Sequence, residues 1–347
     1  MKSRVGKIIA SMSLALALVL VLMSECPSKE GATLTPEAAH VTVYMGPIPL
    51  AQKLEAVFEA KHGDVLTVVS GPWCRKVRAE LEAGDIKADV LHGADPSIYM
   101  MLRGAGQLLP YSSPEATALK PEYRTGEENF TLANGRYAVI VYNKRFVSPE
   151  EAPKTWDDLL DAKWKGKVAI GDPLLCSAAF AIACSLVQLH GFNWDYIKAL
   201  RDNGAMLADN AGKAAEVVAS GEAWVGICVH DAALRMIKKA KKQGVESPLA
   251  IVWPKGGAIA IPRPVAIVQD ANRSEESTTL AKEFVDFVLS VQGQGIAAKF
   301  GFVPVRADVP APRGIPAEFK TVMPDWDWMH RNDQALRSKW ESIMHGE

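Results

Sequence analysis

The sequence lacks an excess of charge of either sign and lacks an extended basic run. Its 347 residues include 39 lysines and arginines and 40 aspartates and glutamates, and the densest basic cluster is Lys238-Lys239-Ala240-Lys241-Lys242. Nucleic-acid-binding surfaces carry a strong positive excess, so this composition argues against nucleic acid as a partner. With 48% hydrophobic residues the chain can bury a sizeable core, and its length predicts about two domains.

Long hydrophobic runs are also scarce. One apolar run, from Leu14 to Met23, follows three basic residues at positions 2, 4 and 7, and it is too short to span a bilayer comfortably. A basic start followed by a short apolar run is typical of a secretory signal. We therefore predict that residues 1–39 are a signal peptide and spacer, and that the mature protein is exported.

A cysteine follows the signal region. Cys26 comes after Leu22-Met23-Ser24-Glu25, which resembles the cleavage box of a lipoprotein, although Glu25 stands where a small residue is expected. Cys26 is therefore a candidate lipid anchor, and the only predicted contact with a membrane. The alternative is cleavage by an ordinary signal peptidase, near Ser24 or farther on, near Ala39.

Cysteine is sparse, with five residues in the whole chain. Apart from Cys26 these are Cys74, Cys176, Cys184 and Cys228, and an oxidising compartment would permit disulfides among them. If Cys176 and Cys184 lie on one straight helix, a rise of roughly 1.5 Å per residue separates them by about 12 Å, too far for a disulfide. The pairing is otherwise open.

Apolar segments alternate with amphipathic ones along most of the chain. Strands are predicted at 41–44, 65–69 and 88–91, each followed by a helix, and a second series of helices and strands begins near residue 155. This alternation predicts an α/β fold with doubly wound sheets in two lobes. Ligands bind at the carboxyl ends of such strands, which here are the loops that follow them.

The segment from Thr155 to Pro173 carries the clearest family signature. It contains Thr155-Trp156-Asp157-Asp158-Leu159-Leu160, Lys163-Trp164-Lys165-Gly166-Lys167-Val168 and Gly171-Asp172-Pro173. Together with Val139 to Lys144, Pro264 to Ile267 and Gly301 to Val305, it closely resembles family 1 of the bacterial extracellular solute-binding proteins. These are the receptor subunits of ABC importers, and the nearest branch handles ferric iron, phosphonates, sugar phosphates and thiamine. Trp156 and Trp164 are then expected to be scaffold residues.

The resemblance implies a type II periplasmic-binding-protein fold, in which two α/β lobes joined by two strands close on a ligand. Lobe 1 would comprise residues 40–143, with 266–347 returning to it, and lobe 2 residues 144–265. The joining strands would lie near 139–145 and 258–268. The expected protein is a monomer in the periplasm or on the outer face of the cytoplasmic membrane, which captures a small solute without a cofactor and delivers it to an ABC permease and its ATPase.

The strand-end rule predicts which residues line the cleft between the lobes. From lobe 1 these are Gly46, Pro47, Ser70, Gly71, Trp73, Cys74 and Asp95. From lobe 2 they are Asp172, Cys176, Ser177, His230 and Asp231, with Asn210 and Trp253 nearby.

Two kinds of ligand fit these residues. In the preferred one, backbone N–H groups at Ser70-Gly71 and Cys176-Ser177, with the serine hydroxyls, hold a phosphate, phosphonate or carboxylate. In the other, a metal ion such as iron is bound by Cys74, Cys176, His230 and Asp231. Tyrosine-dependent iron binders of the family carry an adjacent tyrosine pair where this chain has His230-Asp231, so a copy of that iron site is not expected.

Enzymatic motifs are missing from the sequence. It contains no Gly-x-Gly-x-x-Gly, no phosphate loop, no Gly-x-Ser-x-Gly and no His-Glu-x-x-His. This favours a binding protein over an enzyme. The alternative is an exported enzyme of the same fold, in which Cys74 or Cys176 forms a nucleophile pair with His230.

Overall fold

The computed structural model of the protein describes residues 39–71 and 73–346. The predicted signal peptide and Cys26 lie outside the described residues. Among the described helices, none is long and apolar enough to cross a membrane.

The strands of the described residues form one mixed sheet. They are β1 (Val41–Met45), β2 (Leu66–Ser70), β3 (Val90–His92), β4 (Leu108–Leu109), β5 (Thr131–Asn143), β6 (Val168–Gly171), β7 (Met206–Ala208), β8 (Val225–Val229), β9 (Leu249–Val252), β10 (Ala258–Val268), β11 (Val303–Pro304) and β12 (Thr321–Val322). The order across the sheet is β2-β1-β3-β10-β5-β8-β6-β7, and the four remaining short strands pair with β5 or β10.

Two long strands, β5 and β10, occupy the middle of the sheet and run antiparallel to each other. On one side β10 pairs with β3, which continues into the parallel strands β1 and β2. On the other side β5 pairs with β8, which continues into the parallel strands β6 and β7. We call β1–β3 the first half of the sheet, β6–β8 the second half, and β5 and β10 the central strands. Two α/β halves joined by two long strands are what the family resemblance implies.

Central strand β5 begins at Thr131, earlier than the joining strand predicted near residues 139–145. The strand residues before position 139 include Asn134 and Arg136. Polar residues are unusual in a buried strand, so the sequence pattern did not predict a strand here. Both side chains are paired in the fold: Asn134 Oδ1 accepts a hydrogen bond from Arg263 at 2.8 Å, and Arg136 donates to Asp231 at 3.1 Å. Buried polar groups are tolerated in a strand when such partners satisfy them.

Helices cover both faces of the sheet. They are α1 (Ile48–His62), α2 (Cys74–Glu82), α3 (Pro96–Gly104), α4 (Ser177–Leu189), α5 (Asp195–Asp202), α6 (Lys213–Ser220), α7 (His230–Lys242), α8 (Glu275–Leu289), α9 (Val291–Lys299), α10 (Trp326–Arg331) and α11 (Asp333–Met344). Helices α1, α8 and α9 bury their apolar residues against the first half of the sheet, whereas α4 and α5 do so against the second half.

The end of the chain differs from the prediction that residues 266–347 return to lobe 1. Helices α10 and α11 place Met329, Leu336 and Trp340 in the same buried cluster as Phe180 of α4 and Ile197 of α5. Helix α10 also contacts α3 of the first half. The apolar face of these two helices therefore finds its partner on the second half of the sheet. The lobe boundaries near residues 143 and 265 stay a prediction.

Trp156 and Trp164 lie in that same buried cluster, as expected for scaffold residues. The indole of Trp156 donates a hydrogen bond to the Gly257 carbonyl at 3.1 Å, and that of Trp164 donates to the Asp158 carbonyl at 3.0 Å. Both polar edges are thus satisfied while the rings fill the core, which is the usual condition for burying tryptophan.

Candidate functional site

The carboxyl ends of β1, β2, β6 and β7 open onto one cleft of about 850 Å³, to which both halves of the sheet contribute. This volume is in the range of small-molecule binding sites. Of the predicted residues, those in the cleft wall are Gly46, Pro47, Gly71, Trp73, Cys74, Asp95, Cys176, Ser177 and Asn210.

The loops of the first half approach each other closely. A Cβ atom on Gly46 would lie 3.2 Å from the Gly71 carbonyl oxygen, which is tighter than ordinary contacts allow. Gly71 itself has a φ of 126°, a conformation that other residues rarely adopt. Asp95 is buried and caps helix α3, because its Oδ1 accepts the backbone N–H of Ser97 at 3.0 Å. The two glycines therefore allow the close approach of these loops in the cleft wall. The Asp95 Oδ1 atom caps the start of α3.

The helices that begin at the cleft include α2 from the first half and α4 from the second. Helix α2 starts at Cys74 and α4 at Ser177, and neither receives a hydrogen bond from a side-chain cap. The first N–H groups of a helix have no partner within the helix, and they carry the positive end of its dipole. These helix starts therefore offer donors to a negatively charged ligand.

Ser70 and Asp172 do not line the cleft, although both were predicted to do so. Ser70 is the last residue of β2 and pairs with Met45 of β1. Asp172 is buried and stabilises its own turn, since its Oδ1 accepts the backbone N–H of Leu174 at 2.9 Å while Oδ2 lies 3.2 Å from His345 Nε2. An aspartate bonded two residues ahead of itself is a common turn device.

His230 lies behind the cleft wall rather than in it, again contrary to the prediction. Its Nδ1 accepts the backbone N–H of Tyr137 at 2.9 Å, and its Nε2 lies 3.0 Å from the Gly301 carbonyl oxygen. Because one partner is a donor and the other an acceptor, the ring fits as the neutral form protonated at Nε2. The predicted neighbour Trp253 packs against this ring, with centroids 5.7 Å apart, and also stays outside the wall.

A pH dependence of stability follows from this position. Burial, which outweighs the attraction of Asp231, lowers the pKa of His230 to about 4. The unfolded chain takes up a proton near pH 6.5, so the stabilisation is complete above that pH and is lost as the pH falls toward 4. We expect the free energy of unfolding to drop by about 2 kcal/mol between pH 7 and pH 5 from this residue. Denaturant unfolding of His230→Gln, whose amide can replace both hydrogen bonds, should lack this drop; an identical slope would contradict the prediction.

Asp231 is fully buried and reaches the cleft only through arginines. Its Oδ2 accepts hydrogen bonds from Arg136 at 3.1 Å and from Arg235 at 2.6 Å. Both arginines line the cleft. In the described structure the Asp231 carboxylate therefore holds two cations in place, and its role as a direct ligand stays a prediction.

The predicted metal set does not converge. Cys74 and Cys176 lie in the cleft wall, whereas His230 and Asp231 are buried and already engaged. Among the described residues, no group of three or more histidines, cysteines, aspartates or glutamates is suited to hold a metal ion. The cleft wall contains no tyrosine from the described part of the chain either. Within the described residues, the donors of the wall therefore do not form the predicted set of Cys74, Cys176, His230 and Asp231.

The cysteines also fail to form the nucleophile pair of the enzyme alternative. Within the described residues, Cys74, Cys176, Cys184 and Cys228 are free thiols, and none is hydrogen-bonded to His230. Burial raises the pKa of the Cys74 thiol to about 12, so it stays protonated at neutral pH. Only the thiolate is a good nucleophile, so Cys74 is not an activated one.

Arginines dominate the charge of the cleft. Seven of the residues that line it are basic and two are acidic. The basic residues are Arg75, Arg78, Arg136, Lys213, Arg235, Arg263 and Arg337, and the acidic ones are Asp95 and Asp209. Opposed walls with one sign of charge concentrate ligands of the other sign.

Three of these residues, Arg136, Arg235 and Arg263, form a group at the central strands that we call the central arginines. Arg136 and Arg263 both lie against the ring of Phe302, with guanidinium carbons 5.0 Å and 4.4 Å from its centroid. Arg263 is buried and donates to Asn134 Oδ1 at 2.8 Å and to the Gly46 carbonyl. Burial and the charge of Arg136 lower the pKa of Arg263. Among the described residues, Asp231 is the one carboxylate bonded to this group.

The central arginines therefore carry two positive charges more than their bonded carboxylate neutralises. Arg136 Nε and Asp231 Oδ1 are also buried without a hydrogen-bond partner among the described residues. Buried cations are costly unless they are paired, so a group of this kind is completed by an added anion.

Sequence patterns contained a signal for these arginines that the prediction did not use. Arg263 interrupts the apolar segment Ala258-Ile259-Ala260-Ile261-Pro262-Arg263-Pro264-Val265-Ala266, and a charge inside a buried strand needs a reason. Arg235 follows Asp231 by four residues, which is the spacing of an ion pair on one helix face. Nothing in the sequence links either residue to Arg136.

Residues 85–332 of the chain match the family of bacterial extracellular solute-binding proteins. The chain belongs to this family. The match covers more than half of the chain, and the family resemblance and the type II fold predicted from the sequence are both confirmed. The protein is thus a solute-binding protein of the ABC importer class, and its family implies an exported protein that works with a permease.

Individual relatives of this solute-binding protein are distant. A periplasmic protein of Salmonella typhi, whose name gives 2-aminoethylphosphonate as its ligand, is 27% identical over 288 residues, covering 78% of this chain and 80% of that protein. A Sinorhizobium fredii protein named as a periplasmic-binding protein of an ABC transporter is 27% identical over 277 residues, covering 74% of this chain and 75% of its own.

A solved structure has the same fold. The periplasmic binding protein AfuA of Actinobacillus pleuropneumoniae, with fructose-6-phosphate bound, superposes with a TM-score of 0.75 at 22% identity, covering 88% of this chain and 98% of that one. At this identity the likeness establishes the fold of the solute-binding protein, and the ligand has to be argued from its own residues.

Proposed function

We propose that this solute-binding protein captures a small organic anion, bearing a phosphate, phosphonate or carboxylate group, and delivers it as a monomer to an ABC permease and its ATPase. In this proposal the protein works in the periplasm or, if Cys26 is lipidated, on the outer face of the cytoplasmic membrane. It is not an enzyme. The observation that carries the proposal is the unbalanced positive charge of the central arginines in the cleft.

Arginine suits this ligand class for a geometric reason. Its planar guanidinium presents parallel N–H groups that match the oxygens of a phosphate or carboxylate, and such charge-assisted hydrogen bonds are about twice as strong as neutral ones. Arg235 retains 37% of its side-chain exposure and so has donors available to the cleft. The starts of α2 and α4 add backbone donors from both sides.

Ligand capture would also favour closure of the cleft. An anion held by residues of both halves gains contacts that the open form lacks, so binding shifts the equilibrium toward the closed form. Trp73 lines the cleft and is buried, so its fluorescence should report this change.

Native mass spectrometry of the mature protein, purified from an exporting host without chelator, tests the proposal. We expect a small organic anion in a one-to-one ratio, recovered chemically unchanged after denaturation, and a change in tryptophan fluorescence when it is added back to the empty protein. A metal-sized mass increment that chelator removes would contradict the proposal. Turnover of the recovered compound would contradict the assignment as a binding protein.

A further inference from the structure

A second group of arginines lies on the other elements of the cleft. Arg75 and Arg78 come from α2 and Arg337 from α11, and we call these three the flanking arginines. Arg78 Nη2 donates to Asp333 Oδ2 at 2.9 Å, and Arg337 Nε donates to Asp333 Oδ1 at 2.8 Å. One carboxylate thus holds two arginines that belong to different halves of the molecule.

Packing fixes the position of Arg337 in particular. Its Nη1 donates to the Pro173 carbonyl at 2.9 Å, and its guanidinium carbon lies 4.1 Å from the centroid of the Phe180 ring. Asp333 also accepts from Arg337 Nη2 at 3.3 Å, and a guanidinium held at all three nitrogens and stacked on one face keeps its remaining N–H groups in a constant direction. Arg337 is therefore a preorganised donor in the cleft wall.

The flanking arginines also exceed their carboxylates in charge. Three arginines face Asp95 and Asp333, and Arg75 is exposed with no ion-pair partner among the described residues. Asp95 is engaged by the backbone N–H and the hydroxyl of Ser97. One positive charge is left over at this end of the cleft.

The two arginine groups are separate. Within the described structure no hydrogen bond or ion pair joins a central arginine to a flanking one, and each group has its own aspartate, Asp231 or Asp333. A ligand with a single anionic group can satisfy one of them only.

A positively charged group on the ligand would meet seven basic and two acidic residues in the described cleft wall. The two acidic residues of this wall are both engaged, Asp95 by Ser97 and Asp209 by an ion pair with Lys213. An ammonium group brought into this cleft would lose its hydration and meet arginines, which is unfavourable.

We infer that the ligand carries two anionic groups, one for the central arginines and one for the flanking arginines, with a phosphonate or phosphate at one end and a carboxylate at the other. Phosphonocarboxylates and phosphorylated carboxylic acids belong to this class, whereas aminophosphonates do not. The inference rests on the proposed function and narrows its ligand class. The inferred ligand class differs from 2-aminoethylphosphonate, the compound in the name of the Salmonella typhi relative, because that compound bears an amine.

Calorimetric titration of the full mature protein tests the inference with three small phosphonate probes: phosphonoacetate, methylphosphonate and 2-aminoethylphosphonate. Longer phosphonocarboxylates, 3-phosphonopropionate and 4-phosphonobutyrate, allow for the unknown spacing of the two ends. We expect the best phosphonocarboxylate to bind at least about 10-fold more tightly than methylphosphonate, because a second charge-assisted contact is added. The aminophosphonate should bind more weakly than methylphosphonate.

Variants distinguish a specific contact from total charge. Arg337→Gln should reduce the preference for the phosphonocarboxylate over methylphosphonate to about 2-fold or less. Because Arg337 also holds the Pro173 carbonyl, Arg75→Gln at the exposed neighbouring position provides a second test with little risk to folding. Arg201→Gln, an exposed arginine outside the cleft, is the matched control and should change none of the affinities.

Two results would overturn the inference, and they are distinguishable. If the aminophosphonate or methylphosphonate binds as tightly as every phosphonocarboxylate, the two-headed ligand is wrong and the anion-binding function stands. If none of the probes binds, and inorganic phosphate does not either, both the inference and the proposed function are wrong.

Discussion

Replacing Asp231 with asparagine is expected to lower the free energy of unfolding by about 3–5 kcal/mol, because it removes the fully buried carboxylate that pairs with Arg136 and Arg235. The change keeps the size of the side chain, so a loss of this magnitude would come from charge and hydrogen bonding. Equilibrium denaturant unfolding, followed by fluorescence or circular dichroism, measures it. Asp209→Asn is the matched control, since it also removes a carboxylate from an ion pair but at an exposed position, and it should change stability little.

The acid response of the wild-type protein provides an independent check. Burial alone would raise the pKa of Asp231, but the charges of Arg136 and Arg235 outweigh it and hold that pKa at about 2. Because the folded pKa lies below the ordinary value of 3.8, the stabilisation is present above that pH and is lost as the pH falls toward 2. Asp231→Asn should therefore show a smaller fall in unfolding free energy between pH 3.8 and pH 2. The fall between pH 7 and pH 5 that comes from His230 should remain.

An added anion should partly restore the stability of Asp231→Asn. Binding to the folded form alone stabilises it in proportion to the logarithm of ligand concentration over the dissociation constant. We expect inorganic phosphate to raise the midpoint of Asp231→Asn more than that of the wild type, because the variant exposes a further unpaired cation. An equal effect on both proteins would argue against an anion site at the central arginines.

Removing Arg136, Arg235 and Asp231 together is expected to abolish ligand binding without unfolding the protein. The triple variant Arg136→Gln, Arg235→Gln and Asp231→Asn removes two cations with the carboxylate that they share. Two charge-assisted contacts are worth about 1.5–3 kcal/mol each, so the dissociation constant of the ligand should rise about 1000-fold. Calorimetry with the anion recovered from the wild type measures this loss.

Stability and binding should separate in that variant. Removing Asp231 together with the two arginines bonded to it costs less than removing Asp231 alone, so the triple variant should be more stable than Asp231→Asn although it binds far less ligand. Arg201→Gln, which removes an exposed arginine paired with Asp202, serves as the control for charge at a distance. Retention of ligand within 10-fold of the wild type would show that the central arginines are not the binding site.

The local sequence pattern predicted the positions of many strands and helices and of several residues that line the cleft. The alternation of apolar strands with helices reflects burial on both sides of a sheet, and parallel strands bring their carboxyl ends to one edge. Gly46, Gly71, Cys74, Cys176 and Ser177 follow such ends, and they lie in the cleft wall. The same rule also placed His230 and Asp231 at the cleft. In the structure these two residues begin α7, and their side chains are buried behind the cleft wall.

The order of strands and helices, the family and the loops at the strand ends were thus determined by the sequence itself, since each depends on residues that are close along the chain. Only the tertiary structure decided the charge of the cleft. Arg136 meets Asp231 across 95 residues of chain, and Arg78 meets Asp333 across 255. Electrostatic energy depends on distance in space and on burial, and neither can be read from residues so far apart in sequence. For that reason the sequence predicted an anion site at helix starts, and the fold added the arginines that give it its charge.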